Sequence, residues 1–364
     1  MQNKLLIFIP SIEDGGVEKN IFLLSNYLSK KINRVEVLSC NYNYKYLFNK
    51  KIKFSGTRSK FFFNKSRYIK YLVCLFVLAI NIIRDRNVTV FAFQANIYAI
   101  IISKLLGIKI ITRSNSAPQG WSNNYCKQIM FGFSLRRADS VIVNSLEFKK
   151  EMDKRYKINT KFIYNPFDME FIKKKLKEKF NFNFYKKNYI KIISIGRLTD
   201  QKDHLTLLKA FSLVVKKINA KLLIVGKGKL EYCLKDFILN NNLSDSVKLL
   251  GYTNNPYNYL KNSDIFVLSS KFEGLPNVLL EAQFLKKYII STDCPTGPKE
   301  ILLNSKAGDL FAIGDYKKLS QFILNYNSRS KKIKKKINLG FKKFYRFDIN
   351  NNCSKYLDVI NKYI

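Results

Sequence analysis

The sequence predicts an α/β chain built as two doubly wound, Rossmann-like domains facing a cleft. Three observations carry that prediction. Short runs of β-branched and aromatic residues alternate with helix-length segments, as in parallel βαβ units. The alternation restarts at residues 189–196, after a charge-dense stretch with no periodicity. The length, 364 residues, suits two domains that each bury a core of their own. The expected boundaries are 1–172, a linker at 173–188, a second domain at 189–345 and a closing helix at 346–364.

Residues 5–10 form an unbroken apolar run and read as a buried parallel strand. Gly15 and Gly16 follow. A helix over 17–30 then shows Val17, Ile21, Leu24 and Leu28 at helical spacing. A strand, a glycine pair and a helix can cradle a phosphate, although a Gly-Gly turn alone is ordinarily only a turn. Residues 34–40 read as the second strand.

The segment 45–86 holds eleven Lys or Arg and one acid, Asp85, interleaved with Tyr46, Phe48, Phe54, Phe61, Phe62, Phe63, Tyr68 and Tyr71. Cations mixed with rings suit an anionic membrane surface. Nucleic-acid binding uses the same chemistry, and a solvated Lys-rich loop is the plain alternative. The longest apolar stretch, 71–83, is 13 residues long. About 20 are needed to span a bilayer, so it reads as a buried crossover helix.

Strands follow at 88–93, 109–113, 140–145 and 163–168, with a helix at 97–106. The strand 109–113 runs into Arg113-Ser114-Asn115. In the second half the strand 189–196 enters Arg197 to His204. Further strands are expected at 221–226, 247–251, 264–270 and 288–293. His204, the one histidine, sits at a helix start and reads as a capping or packing residue.

The most informative stretch is 271–282, Lys-Phe-Glu-Gly-Leu-Pro-Asn-Val-Leu-Leu-Glu-Ala. Gly274 and Pro276 end a strand and a helix is expected over 277–287. Backbone N–H groups at its start, with the helix dipole, favour an anion. Glu273 in the turn and Glu281 inside the helix can reach different ends of one ligand. Taken alone, such a pair would be two solvated acids.

The formal charge of +39 spreads through both halves, and its Lys, Asn, Ile, Tyr and Phe bias matches AT-rich coding as well as selection. Such a surface attracts anionic membranes or polyphosphates. Six scattered cysteines with no C-x-x-C pair argue against a zinc site or a disulfide framework and fit a reducing cytosol. The first apolar run is too short for a signal peptide. No G-x-G-x-x-G, Walker A or Asp-x-Asp sequence occurs.

Residues 271–282 resemble the signature of retaining glycosyltransferases of the two-Rossmann-domain (GT-B) type, in family 4, glycosyl transferases group 1. The likeness extends over nearly the whole chain and is strongest over 192–300. There the loop 294–300 is similar to that of bacterial surface-polysaccharide and lipid-linked oligosaccharide transferases.

The resemblance implies that Glu273 touches the transferred sugar and Glu281 the nucleotide ribose. The backbone from Gly274 through Leu275, Pro276, Asn277 and Val278 would bind the pyrophosphate. It puts Arg197 and Lys202, in the segment opened by Gly196, on the same diphosphate, whose growing charge fixed cations stabilise. Tyr252 would lie by the base, and Gly15, Gly16 and Glu18 would contribute from the first domain. Many members carry a histidine near residue 113. This chain has Arg113 and Asn115 there, which become acceptor-binding candidates. The closing helix would cross back to the first domain, the acceptor-binding one.

The implied reaction moves a sugar with retention from a nucleotide-sugar, expected to be a UDP-sugar, to a hydroxyl of a lipid-linked glycan. Neither metal nor further cofactor is expected. The partners would be the nucleotide-sugar donor, the lipid-linked glycan acceptor and an anionic membrane, with no nucleic acid. The enzyme would be cytoplasmic, peripheral on the inner face of the cytoplasmic membrane. A basic nucleic-acid-binding protein is the alternative from another class, but it leaves Glu273, Glu281 and the glycine turns unexplained. A GT-B-like phosphorylase or epimerase is a further one.

Overall fold

The computed structural model describes residues 4–12, 16–56, 66–115, 124–185 and 188–364. Side chains at 17, 125 and 126 lie outside that description, as do Gly15 and the rings of Phe61, Phe62 and Phe63. The chain forms two compact units, residues 1–167 with 347–364, and residues 168–346.

The first unit holds β1 (Lys4–Phe8), α1 (Gly16–Leu28), β2 (Val35–Leu38), β3 (Lys53–Ser55), α2 (Arg67–Arg84) and β4 (Val88–Ala92). It continues with α3 (Asn96–Leu105), β5 (Lys109–Arg113), α4 (Tyr125–Arg137), β6 (Ser140–Val143), α5 (Leu146–Tyr156) and β7 (Lys161–Phe162). The sheet order is β3-β2-β1-β4-β5-β6-β7, and its pairings are parallel. Period-two alternation sends Leu6 and Phe8 of β1 to one face and Leu5 and Ile7 to the other.

The second unit holds α6 (Met169–Lys175), β8 (Ile190–Ile195), α7 (His204–Val214), β9 (Ala220–Val225), α8 (Glu231–Asn240) and β10 (Val247–Gly251). After α9 (Tyr257–Lys261) come β11 (Ile265–Leu268), α10 (Asn277–Phe284), β12 (Tyr288–Thr292) and α11 (Pro298–Ile301). It closes with β13 (Asp309–Phe311), α12 (Tyr316–Leu324) and α13 (Ser330–Lys342). Its parallel sheet has the order β10-β9-β8-β11-β12-β13. The last helix, α14 (Ile349–Ile360), belongs to the first unit.

In the first unit's sheet, α2, α3 and α5 bury Cys74, Leu78, Ala99, Ile100 and Phe148 against the Leu6 face. On the other face α1 and α14 bury Ile21, Leu24, Cys353 and Tyr356. Thr89 Oγ1 donates to Tyr363 O at 2.6 Å, and Tyr363 Oη donates to Asp139 O at 2.8 Å. Phe167 N donates to Phe347 O at 2.9 Å where the chain leaves and re-enters this unit.

Three expectations change. The segment 173–188 is no free linker, because the chain changes unit at 167–168 and again at 346–347. Asn255 Nδ2 donates to Lys175 O at 2.8 Å and Tyr185 Oη to Ile192 O at 2.9 Å, while Phe180 and Phe182 each lie 4.9 Å from the Tyr259 ring. The strand expected at 163–168 ends early, at Phe162. Pro166 has no amide hydrogen to continue a ladder. Finally, α2 is not fully buried: Cys74, Leu75, Leu78 and Ile82 face the core, but Leu72, Phe76 and Ile83 are exposed. The scattered cysteines also conceal one close pair, the buried Cys40 and Cys74 thiols, 3.2 Å apart.

Candidate active site

In the second sheet β8 and β11 are neighbours. From β8 the chain proceeds outward to β9 and β10, and from β11 to β12 and β13. Loops leaving the carboxyl ends of β8 and β11 therefore diverge, and this reversal is where an open α/β sheet takes its ligand.

The loop after β8 carries Gly196, Arg197 and Lys202. A Cβ on Gly196 would touch the Lys202 methylenes at 3.4–3.5 Å, so the lysine stem lies across the bare glycine. Lys202 closes a 3-10 turn (Asp200–Lys202). Two neighbours anchor that turn to the loop after β11. Ser269 Oγ donates to Lys202 O at 3.0 Å, and Lys271 N donates to Gln201 O at 2.8 Å. Gln201 Nε2 returns a bond to Phe272 O at 3.0 Å. This stitching aims the Lys202 ammonium at Glu273: Nζ donates to Oε1 at 2.5 Å, with only 14% and 8% of the two side chains exposed. Arg197, beside them in sequence, is exposed.

The loop after β12 closes the other side. Thr296 Oγ1 donates to Glu273 O at 2.7 Å. Gly297, at φ +82, comes so near that a Cβ there would sit 1.7 Å from Gly274 O. Only glycine permits that approach. Cys294 is buried in the same loop, and its thiol is pushed up to about 12, first by burial and next by the Glu273 charge. It is an inert thiol at neutral pH.

Gly274, Leu275 and Pro276 are buried and lead into α10 at Asn277 and Val278. No side chain caps this helix at Pro276. Glu281 is buried inside α10, which ends at Phe284 rather than 287 because Lys286 turns to φ +55. The loops after β8, β9 and β10 lie one on another: Gly226 N donates to Gly251 O at 2.9 Å, and a Cβ on Gly226 would lie 1.9 Å from Gly196 O. Tyr252, next in sequence, is exposed. His204 is buried at the first position of α7. Burial, then the nearby Lys202 charge, lowers its pKa to about 3, so it is neutral at physiological pH.

The first unit's reversal lies between β1 and β4 and is built from amides. Ser11 N donates to Gln94 Oε1 at 3.2 Å and Ile12 N to Asn41 Oδ1 at 3.1 Å. Gly15 lies outside the described residues. Gly16 opens α1 and is exposed, and Glu18 is buried in its first turn. Arg113 and Asn115, expected near an acceptor, stand differently. Arg113 is 1% exposed: its Nε donates to Tyr356 Oη at 2.8 Å and its Nη2 to Asn165 Oδ1 at 2.5 Å. Its Nη1 donates to Asn115 Oδ1, and Asn115 Nδ2 donates to Phe93 O at 3.0 Å. The guanidinium thus ties α14 and the chain beyond β7 to the end of β5. Burial leaves it no open face for a ligand.

The sequence reading overlooked Thr296 and Gly297 as the support of Glu273, and Gln94, Asn41, Asn165 and Tyr356 in the first unit. The Thr-Gly-Pro turn directly after a strand was a usable signal for the first two. Nothing local marks the others, whose partners are far away in sequence.

Two family models match the chain: Glycosyltransferase Family 4 over residues 14–171 and Glycosyl transferases group 1 over residues 175–338. Between them they take in most of both units. The chain belongs to this glycosyltransferase family. An uncharacterized glycosyltransferase of Methanocaldococcus jannaschii is 38% identical to this glycosyltransferase over 199 residues, 52% of this chain and 49% of that protein. The N-acetylgalactosamine-N,N'-diacetylbacillosaminyl-diphospho-undecaprenol 4-alpha-N-acetylgalactosaminyltransferase of Campylobacter jejuni is 27% identical over 97% of this chain and 99% of its own length. Among solved structures, Anabaena HepE in complex with UDP superposes with a TM-score of 0.79 at 15% identity, over 99% of this chain and 100% of that one.

For a glycosyltransferase, the second unit's site offers a set of complementary parts. A carboxylate, two cations of which one is exposed, and the start of a helix lie on loops held together by hydrogen bonds between strand ends. Among the described residues no three His, Cys, Asp or Glu side chains are grouped so as to hold a metal ion.

Proposed function

We propose that this glycosyltransferase moves a sugar, with retention at the anomeric carbon, from a UDP-sugar to a hydroxyl of a lipid-linked glycan in bacterial surface polysaccharide synthesis, and that it does so without a metal ion. One observation carries the reading: the Lys202–Glu273 pair, 2.5 Å between Nζ and Oε1, at the point where the second sheet reverses. Glu273 then orients the transferred sugar through its hydroxyls. Lys202 stands between that carboxylate and the diphosphate, and Arg197 adds a second cation from the exposed side. The backbone from Gly274 to Val278 and the start of α10 take the remaining phosphate charge. Glu281 holds the ribose and Tyr252 lies against the base. As the bond to the leaving oxygen breaks, negative charge grows on the diphosphate. Fixed cations stabilise that state more than the ground state, which is what raises turnover.

The acceptor reading is supported by the diphospho-undecaprenol named for the Campylobacter relative, and the donor reading by UDP in the Anabaena structure. A lipid-linked acceptor and a charge of +39 favour a peripheral protein on the inner face of the cytoplasmic membrane. Among the described residues no helix is long and apolar enough to cross a membrane.

The test is a thermal-shift screen of nucleotide-sugars, followed by transfer onto undecaprenyl-diphosphate-linked glycans in excess EDTA. A UDP-sugar should raise the melting temperature, and the product should keep the donor's anomeric configuration. If no nucleotide-sugar stabilises the protein the reading fails. Activity lost in EDTA and restored by manganese or magnesium would overturn metal independence alone.

A further inference from the structure

The helices over the Leu6 face of the first sheet are unlike those on the other face. On α2, Tyr68, Leu72 and Phe76 recur every four residues on the side away from Cys74 and Leu78, at 79%, 71% and 69% exposure. The neighbouring α3 presents Ile101 and Leu105, the latter 80% exposed. The next helix, α4, adds Phe133, over which Arg137 lies 3.5 Å from the ring centre. Large apolar side chains exposed singly are ordinary, but a cluster on one layer marks a contact surface. On the opposite layer neither α1 nor α14 exposes a large apolar side chain among the described residues.

The charge pattern selects the occupant. None of the three helices contains an Asp or Glu, while α2 carries Arg67 and Arg84 and α4 Lys127, Arg136 and Arg137; Lys104 of α3 is already paired with Asp139. The neighbouring α5 differs: it has Glu147, Glu151 and Asp153, each half-buried, beside Lys149, Lys150, Lys154 and Arg155. A second copy of a +39 chain would bring the same cations face to face, against self-association. Rings and aliphatic ends framed by Arg and Lys match the boundary between anionic headgroups and acyl chains.

We infer that the outer face of α2, α3 and α4 docks on an anionic lipid bilayer, with Leu72, Phe76 and Leu105 entering the acyl boundary and Arg and Lys meeting lipid phosphates. This deepens the membrane part of the proposed function and rests on that reading only for the acceptor's source. It also differs from an electrostatic attraction alone, because inserted apolar groups hold in salt that screens charge.

The experiment uses the full chain and vesicles of phosphatidylcholine, with and without phosphatidylglycerol. The wild type should bind the anionic vesicles, keep part of that binding in high salt, and leave neutral vesicles nearly untouched. Leu72→Ser/Phe76→Ser/Leu105→Ser should weaken anionic-vesicle binding about a hundredfold, at a few-fold to tenfold per apolar side chain withdrawn. Arg136→Glu/Arg137→Glu should weaken it less and narrow the preference for anionic lipid. Tyr232→Ser, removing an exposed ring of the second unit, should change nothing. Melting temperatures verify that each variant folds. Wild-type binding by the triple variant, or equal binding to neutral vesicles, overturns the proposal. So does a wild-type oligomer that the triple variant makes monomeric while vesicle binding stays intact, since that assigns the face to a second copy. A rise in melting temperature with a UDP-sugar, measured without vesicles, separates the two readings: its absence for every nucleotide-sugar sinks the transferase reading and leaves the docking result standing.

Discussion

Both units reverse their strand order beside their first strand, at β1/β4 in one and β8/β11 in the other. What stands at the two reversals differs. In the second unit a half-buried ammonium meets a buried carboxylate, Lys202 with Glu273, and Arg197 stays exposed beside them. In the first unit the corresponding loops are held by the amides of Gln94 and Asn41, and Arg113, the one buried guanidinium among the described residues, is tied among neutral groups. One topology thus supplies a place for a ligand, while the side chains decide what that place can hold. The second unit is arranged for a polyanion. The first is arranged to fix its own last helix and to present an apolar, cationic outer face.

The sharpest way to break this comparison is to remove the second unit's cations. Arg197→Ala and Lys202→Ala should each lower turnover on the nucleotide-sugar about a hundredfold or more, the scale of losing one charge stabiliser. They should differ in stability. Arg197 is exposed, so its loss should leave the melting temperature alone. Lys202→Ala strands the Glu273 carboxylate in a buried loop, at a cost of about 3 kcal/mol. Adding Glu273→Gln should restore stability but not turnover. Near-normal turnover in either single variant would remove the diphosphate assignment, and with it the contrast between the units.

A second test compares two glycines of similar backbone in the second unit. Gly297 and Gly314 have φ +82 and +78, but a Cβ at 314 meets nothing within 4 Å whereas one at 297 strikes Gly274 O. Gly314→Ala should cost about 1 kcal/mol, from backbone strain alone. Gly297→Ala should cost about 3 kcal/mol and also reduce turnover, because relief requires moving the loop that carries Glu273. Denaturant midpoints and rates would decide, and equal costs would show that the two loops are not the rigid pair described.

The first unit has its own test in Arg113→Met, which keeps bulk and removes the donors. Tyr356, Asn165 and Asn115 each lose a charged partner, and the protein should lose about 2–3 kcal/mol. Hydrogen exchange should rise in α14, with UDP-sugar affinity unchanged. Weaker acceptor use at unchanged stability would return Arg113 to the acceptor role first expected of it.

These contrasts bear on what the sequence could show. Strand and helix alternation was legible because both sheets are parallel and buried, so their strands are continuous apolar runs: β5 and β10 fall where expected, and β1 within a residue or two. The turn at 273–276 was legible because Gly274 and Pro276 interrupt a strand directly before a helix. The unit boundary was not, because Lys and Asn run throughout and only tertiary bonds, such as Tyr185 to Ile192, reveal that 173–185 is packed. Counting α2 as an apolar run concealed its two faces. Arg113 was an acceptor candidate because it stands where many family members carry a histidine, and nothing local reveals its three partners, which lie 2 to 243 residues away.

The smallest effect expected is on stability against pH, and it too separates the units. The chain's one histidine, His204, lies in the second unit, where burial and then the Lys202 charge hold its pKa near 3, against 6.5 when exposed. A lowered histidine pKa means that the unfolded chain binds a proton which the folded chain refuses between those values. Stability is therefore full above about pH 6.5 and falls as pH drops, by about 1.4 kcal/mol per unit. The first unit has no such group. Its depressed carboxylates, Asp85, Asp139 and Asp153, contribute stability that is present above their ordinary pKa of 3.8 and is lost only below it. Between pH 6 and about pH 4.5 the second unit should accordingly weaken alone, with exchange rising first in α7 and β8. His204→Leu should flatten that slope while leaving the first unit's exchange as it was. If wild type and variant lose stability in parallel across this window, the ring is not held neutral by its surroundings.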